Sequence, residues 1–471
     1  MMSWKINISI DKKSELPIYK QITQSVMKAV ETGRFVPGTQ LPGSRTLAEM
    51  LEINRNTVIQ AYEDLVAQGW IEFQQGVRPK IATQIQTTLK FQKRKIAENE
   101  NEKADKKRIS LKLSDGYPDS RLFPMELFSR TFSRVARLYG HRLYSEDLSA
   151  QGSLVLRSTL AEMLRLARSM DVSSDNLMVT RGSQQAIYLL GVALAQLGAR
   201  TIIMESPGYA PAARSFEMSG LKVEKQVINE DGFNVDELEA RLKKGKEISA
   251  IYVTAHHQYP TTVTLRANRR LKLLDLAERY KFWIIEDDYD HDFHYDGSAV
   301  FPIASIRLER VIYLSSLSKV LSVGLRIGYV VAPKEVLLEM LVAKSLIDKI
   351  GDPLLEKALA EFINDGELLR HVNKMRLIYK KRRDLIYEEL KGSYPLIKKP
   401  LGGMALWLPF ENQSYREFSS SLAKFGIEIV PEDQMNFFKE KLSGTRIGFA
   451  GLDEKEIKLL ATSLRKCSLI G

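Results

Sequence analysis

Residues 314–330, LSSLSKVLSVGLRIGYV, begin as an apolar strand, pass through Ser316, Ser318 and Lys319, and close on Arg326 and a second apolar run. A lysine just past a buried strand can form an imine with an aldehyde where its surroundings favour the neutral amine. Ser316 and Ser318 offer hydroxyl donors and Arg326 a bidentate cation, a set suited to a phosphate. Taken alone, the stretch also fits a strand followed by a solvated lysine and a loop arginine, because short motifs recur by chance.

Upstream, WIIEDDYDHDFHYD (residues 283–296) carries an apolar strand straight into acidic and aromatic residues. Carboxylates at a strand's carboxyl end lie where α/β sheets bind ligands. There Asp287 can pair with a protonated pyridine nitrogen and Tyr289 with a phenolic oxygen of the same ring. The competing assignment is an exposed acidic loop. Asp290, His291, Asp292, His294 and Asp296 also cluster here, but nothing in their spacing fixes a ligand geometry, so no metal is expected. Further upstream, VTRGSQQAIYLL (residues 179–190) sets Gly182 and Ser183 between a strand and a helix. Free backbone N–H groups at that helix start, with Ser183 and Gln184, make an anion site. In ESPGYAPAARSF (residues 205–216), Tyr209 follows a Pro-Gly turn, where its ring can stack on a planar group or pack into the core.

These segments lie in a long zone of alternating strand and helix patterns. Strands are expected near residues 177–180, 201–205, 222–228, 250–254, 282–286, 311–314 and 326–331, which predicts a mainly parallel seven-stranded α/β sheet covered on both faces. Beyond Pro333, amphipathic helices lead to the strand-like GMALWLPF, IEIV and RIGFA, predicting a smaller α+β subdomain over about residues 340–471. Residues 84–110 are rich in Lys, Glu and Asn and read as a charged linker, so the domains expected are 1–83 and 111–471. In the first, Ile18, Ile22, Val26, Ala29 and Val30 share one helical face, with Gly33 as the stop. Two short helices follow, the second running from near Asn54 to near Gly69, and then a hairpin, WIEFQQGVRPKIA. That order is a winged helix-turn-helix.

The net charge of +11 is spread along the chain: residues 1–83 hold 10 basic against 8 acidic side chains, so charge supports nucleic-acid binding only weakly. With one cysteine, Cys467, the chain has no internal disulfide. No apolar run is long enough to cross a membrane and the opening residues carry no secretory pattern, so the cytoplasm is the expected compartment.

The ordered set GSQQA, SPGY, HHQYPT, EDDYD, SLSK and GLRIGY resembles aminotransferases of fold type I, in particular the aminotransferase-like half of MocR/GabR regulators. PGTQLPGSRTLAEMLEINRNTVIQAYEDLVAQGWIE, residues 37–72, is similar to GntR-type winged helices. The resemblance implies a transcription regulator that depends on pyridoxal 5′-phosphate, with Lys319 joined to the cofactor, Asp287 at its ring nitrogen, Tyr289 at its phenolic oxygen and Tyr209 stacked on the ring. Ser183, Gln184, Ser316, Ser318 and Arg326 would hold the phosphate. It also implies a homodimer, operator DNA as one partner and an amine or amino acid effector as another, with free cofactor as an alternative signal. An active aminotransferase with an accessory DNA-binding domain is the alternative function.

On the DNA side the resemblance brings forward Arg45, Arg55, Asn56 and Thr57, near helix starts; arginine reads guanine edges and threonine bonds phosphates or bases. The wing lacks the family's glycine-rich tip, leaving Arg78 and Lys80 as its cations. Thr262 stands where the family motif continues with glycine, so His257 and Tyr259 receive no role. Pro211 and Gln434 occupy positions where GABA-responsive members carry arginine, which disfavours GABA as effector. Arg446, in TRIGFAG, stands where many aminotransferases hold an α-carboxylate; a surface strand arginine is the alternative.

Overall fold

The computed structural model describes residues 8, 10–11, 14–73, 77–84, 111–145, 149–297, 300–410 and 413–468. The proposed linker beyond residue 84 and the wing tip at residues 74–76 lie outside them. The chain divides into two compact units, Met1–Ala104 and Asp105–Gly471.

In the amino-terminal unit, helix α1 (Ile18–Glu31) buries Ile22, Val26, Ala29 and Val30 as their spacing predicts, and Thr23 besides, while Ile18 is only half-buried against the same core. Helices α2 (Ser44–Leu51) and α3 (Arg55–Ala67) follow, and Glu52 in left-handed backbone turns the chain between them. The side chain of Asn54 caps α3 by accepting from the Asn56 N–H. Val58, Ala61 and Leu65 of α3 close over Leu47 and Ala48 of α2, and Tyr62 Oη donates to the Pro42 carbonyl at 2.7 Å. Strands β1 (Ile71–Glu72) and β2 (Lys80–Ile81) pair antiparallel, Ile71 opposite Ile81, and give the expected hairpin.

The carboxy-terminal unit opens with β3 (Leu111–Lys112), α4 (Met125–Tyr139) and α5 (Leu154–Arg168). Its main sheet is then laid down in alternation: β4 (Leu177–Thr180), α6 (Gly182–Gln196), β5 (Thr201–Ser206), α7 (Ala210–Met218), β6 (Lys222–Asn229), β7 (Gly232–Phe233), α8 (Val235–Lys243), β8 (Ala250–Val253), α9 (Ala267–Tyr280), β9 (Trp283–Asp287), β10 (Val311–Ser316) and β11 (Gly328–Val331). The strand order is β4-β11-β10-β9-β8-β5-β6-β7. Strands β6, β5, β8, β9 and β10 run parallel, and β11 is antiparallel to both its neighbours. Strands β4, β8, β9, β10 and β11 are buried along their length, which is why they read as continuous apolar runs rather than alternating ones.

Two expectations about the sheet need correction. The sheet has an eighth strand, β7, a two-residue return antiparallel to β6 that is too short to leave a periodic signal. Arg326 lies outside β11, in left-handed backbone (φ 52°) ahead of it.

Helices α10 (Lys334–Ile347) and α11 (Pro353–Asn364) pack on the large sheet's cores, through Val336, Leu337 and Met340 and through Leu359, Ala360 and Phe362. The expected subdomain start near residue 340 thus falls inside a helix of the large lobe. The smaller core is built by α12 (Glu367–Leu390), β12 (Ala405–Pro409), α13 (Tyr415–Ala423), β13 (Ile427–Glu428), β14 (Gly444–Gly448) and α14 (Glu454–Ser468), and it also takes in Leu111, Leu113, Phe293 and Tyr295. β12 pairs antiparallel with β14, and β13 pairs parallel with β3. No described helix is long and apolar enough to cross a membrane.

Candidate functional site

At the carboxyl ends of the central strands lies a cavity of about 120 Å³. All nine residues singled out for a cofactor line it: Ser183, Gln184, Tyr209, Asp287, Tyr289, Ser316, Ser318, Lys319 and Arg326. They come from four segments spread over more than a hundred positions, and the parallel sheet gathers them because each follows a strand that ends at the same edge.

Lys319 follows β10. Its Nζ donates to the carbonyls of Asp115 at 2.7 Å and Gly116 at 3.2 Å, and stands 4.4 Å from the centre of the Tyr117 ring. Desolvation, opposed by the Asp115 charge and reinforced by Arg446, pushes its amine down to about 8. About a tenth of it is therefore neutral and nucleophilic at pH 7, far more than for a solvated lysine.

Asp287 ends β9 and is buried. Tyr252 Oη donates to its Oδ2 at 2.5 Å, while Oδ1 has no hydrogen-bond partner. Burial pushes its carboxyl up to about 7, the hydrogen bond from Tyr252 opposing. A cation placed at the free oxygen would restore the ionised form. The adjoining acids are spent on structure: Glu286 accepts from the Ile303 and Ala304 N–H groups, and Asp288 pairs with buried Arg168 and accepts from Tyr313 Oη at 2.9 Å. The acidic run is thus no exposed loop.

Across the cavity, α6 begins at Gly182 with no side chain capping it. Two glycines let this helix start meet the Arg326 segment. A Cβ at Gly328 would lie 2.6 Å from the Gly182 carbonyl carbon, and one at Gly182, whose φ is +77°, would lie 3.2 Å from the Arg326 guanidinium. Arg326 Nη2 donates to the Arg181 carbonyl at 2.9 Å. Ser316 Oγ accepts from the Ser318 N–H at 3.0 Å, whereas Ser318 Oγ has no partner. The amide of Gln184 is engaged elsewhere, donating to Ser215 Oγ at 2.8 Å and accepting from Tyr209 Oη at 3.2 Å, so the group it could offer an anion is its backbone N–H.

Arg446 lies on β14, only 1% exposed, which rules out a surface arginine. It does not line the cavity but touches two residues that do: its Nε is 2.9 Å from Asp115 Oδ1, and Nη2 donates to Tyr289 Oη at 3.3 Å. Tyr289 Oη itself donates to the His257 carbonyl at 3.0 Å. Thr262 adopts left-handed backbone (φ 66°), the conformation that glycine holds without strain.

In the other unit, Arg45, Arg55 and Asn56 are exposed and Thr57 is half-buried. Arg45 sits in the first turn of α2, while Arg55, Asn56 and Thr57 open α3. Arg45 and Arg55 border a shallow concavity, and Arg55 Nε donates to Ser44 Oγ at 3.3 Å. Of the two wing cations, Arg78 is exposed, and Lys80 is paired with Glu72 at 2.9 Å.

Several cavity residues escaped sequence reasoning. Tyr252, which holds Asp287, sits inside a strand that reads as core. Asp115 and Tyr117, which line the cavity, and Gly116, whose carbonyl accepts from Lys319, sit in SDGYP just after the charged segment, where a glycine flanked by polar residues was the available signal.

Comparison with known proteins agrees with this architecture. The family model for aminotransferase class I and II matches residues 139–464, and that for bacterial regulatory proteins of the gntR family matches residues 18–81. The chain is 28% identical over 479 residues to the probable rhizopine catabolism regulatory protein MocR of Rhizobium meliloti, covering 98% of this chain and 95% of that one. It is 27% identical to the HTH-type pyridoxine biosynthesis transcriptional regulator PdxR of Corynebacterium glutamicum, over 84% of each. Among solved structures, an archaeal alanine:glyoxylate aminotransferase superposes with a TM-score of 0.71 at 28% identity, covering 76% of this chain and 91% of that one. The chain belongs to the class I and II aminotransferase family and carries a gntR-family domain ahead of it, the pairing that defines MocR-type regulators.

Proposed function

We propose that the protein is a transcription regulator whose aminotransferase-like unit holds pyridoxal 5′-phosphate and reads an amino compound or the cofactor itself, while its winged helix binds double-stranded operator DNA. One observation carries this reading: a lysine with a depressed pKa, a buried carboxylate with an unpartnered oxygen and an uncapped helix start beside an arginine all border one cavity. The donor set fits the cofactor's three polar ends. Asp287 Oδ1, Ser318 Oγ and Tyr259 Oη, all lining the cavity, are buried there without hydrogen-bond partners, and such groups are costly unless something satisfies them.

When bound, pyridoxal phosphate supplies an aldehyde for covalent attachment and an electron-withdrawing ring. Lys319 would provide the attached amine, Asp287 would hold the ring nitrogen protonated, Tyr289 would face the phenolic oxygen and Tyr209 would cover the ring. Arg326, Ser316, Ser318, Ser183 and the first N–H groups of α6, including that of Gln184, would hold the phosphate. Arg446 would receive the carboxylate of an amino acid effector, which requires Asp115 to give way. Arg55 and Arg45 would face bases or phosphates, with Asn56 and Thr57 beside them. A homodimer suits both the fold and a two-half-site operator.

The experiment is a gel-shift titration on DNA upstream of the protein's own and neighbouring genes, using chain stripped of cofactor, chain loaded with pyridoxal phosphate, and loaded chain with a panel of amines and amino acids. Coupling free energies between sites correspond to roughly 5–150-fold, so at least one addition should move the midpoint within that range. Identical midpoints throughout would contradict a sensing role.

A further inference from the structure

Behind the acidic run, three imidazoles meet that no part of the proposed cofactor site uses. His256 and His257 follow β8, and His294 follows β9, so two loops that are adjacent at the sheet edge bring them together. One ring nitrogen from each lies within 4.8 Å of the other two. The ring centroids of His256 and His257 are 4.4 Å apart, those of His256 and His294 5.8 Å, and the His257 and His294 rings stack at 6.3 Å.

Their hydrogen bonding is unlike that of packed core histidines, which ordinarily find partners when buried. Both nitrogens of His256, Nε2 of His257 and Nδ1 of His294 are shielded from solvent with no hydrogen-bond partner. His256 is 2% exposed and His257 1%. The other nitrogen of His257 is engaged: Nδ1 lies 2.8 Å from Oδ1 of Asp290, itself buried. A carboxylate there fixes the tautomer with the proton on Nδ1 and leaves the Nε2 lone pair free, the carboxylate–histidine arrangement that orients metal ligands. The second Asp290 oxygen, Oδ2, also has no partner. Glycines keep the approach clear, since a Cβ at Gly402 would lie 2.7 Å from His257 Nε2 and one at Gly403 2.9 Å from Asp290 Oδ2. The nearby charges are of both signs: Asp288 and Asp290 favour a cation, and Arg168 and Arg376 oppose one. Asp288 Oδ1 is 4.0 Å from His256 Nδ1, Asp288 is already paired with Arg168, and among the described residues Asp290 forms no ion pair other than that with His257. His291 stays out of the cluster, with Nδ1 3.0 Å from the Asp288 carbonyl and Nε2 3.3 Å from Asp292 Oδ2.

We propose that His256, His257 and His294 form a site for a divalent transition metal of the zinc class, with Asp290 orienting His257 and an open fourth position. Neutral imidazoles suit zinc, copper, nickel and iron and are poor ligands for calcium or magnesium. Zinc–nitrogen bonds of about 2.0–2.1 Å in a tetrahedral site put ligand nitrogens roughly 3.4 Å apart, so the cluster, with its nitrogens within 4.8 Å of one another, closes by up to about 1.4 Å on binding. The metal would tie the loops after β8 and β9 together where His294 bridges to Gly402 of the smaller lobe. That position explains why residues 290–296 alone gave no ligand geometry: two of the three ligands lie on another loop.

The test uses purified full-length chain, stripped with a chelator and dialysed against zinc, with bound metal measured by elemental analysis. About one zinc per chain is expected. His257→Gln and His294→Gln, each shown to be folded by circular dichroism, should lose it, and Asp290→Asn should weaken zinc affinity about 10–100-fold. Cobalt bound to the wild-type chain should give the intense visible bands of a four- or five-coordinate site, a readout that survives any variant that fails to fold. Failure of the wild-type chain to retain zinc, full retention by folded histidine variants, or a cobalt spectrum like that of the aqueous ion would each overturn the proposal.

Discussion

The chemistry attributed to Lys319 depends on its charge state, and the fold controls that. Its amine falls from an ordinary 10.5 to about 8, chiefly through desolvation. The sign follows directly: protonated amine cannot attack an aldehyde, and the neutral fraction grows as pH rises through the folded pKa. Stopped-flow mixing of stripped protein with pyridoxal phosphate should therefore show an attachment rate that climbs through about pH 8 and levels off near pH 9; continued increase to the pKa of a solvated lysine would contradict the desolvated environment. At this scale the sequence was informative about residue type but not about environment. Ser316, Ser318, Lys319 and Arg326 stand in one short stretch and could be picked out together. The Asp115 carbonyl that receives the lysine and the Tyr252 hydroxyl on Asp287 could not, because each contact joins residues far apart in the chain. For Gln184 the residue was legible and the group was not, since its amide is turned toward Ser215 and Tyr209.

Between elements, the decisive contact is the approach of the α6 start to the segment before β11. Backbone meets backbone there, so a side chain at Gly328 has nowhere to go. Gly328→Ala should destabilise the chain by about 1–3 kcal/mol in urea denaturation and weaken pyridoxal phosphate binding by displacing the helix start; unchanged stability would show that the contact is looser than described. On α3, Arg55 is exposed at the first position of the helix. Arg55→Ala should cost about 1–3 kcal/mol of operator affinity if the side chain reads a base, and unchanged gel-shift midpoints would remove it from the interface. Helices and central strands were legible because their apolar spacing is regular and long. β7 was not, at two residues, and the edge of β11 was misplaced by two because Ile327 extends the apolar run without extending the ladder and Arg326, in left-handed backbone, stands just ahead of it. The histidine cluster was hidden for a related reason: its members follow different strands, and only the order of β8 and β9 in the sheet makes them neighbours.

For the whole molecule, two units with separate cores share one chain, and regulation requires that a ligand in one favour some states of the other. The pairing of a gntR-family domain with an aminotransferase domain was legible because six motifs stand in a fixed order in one half and residues 37–72 carry the winged-helix pattern in the other, whereas coupling leaves no residue pattern to read. Everything proposed for the sensing unit rests on capture of an aldehyde by Lys319. The most direct measurement adds pyridoxal phosphate to purified chain, records the visible spectrum, reduces with borohydride and maps the modified peptide by mass spectrometry. The account predicts a new absorption band and a label on Lys319, both absent in Lys319→Ala. A chain that gains no band and carries no label at Lys319 would contradict it.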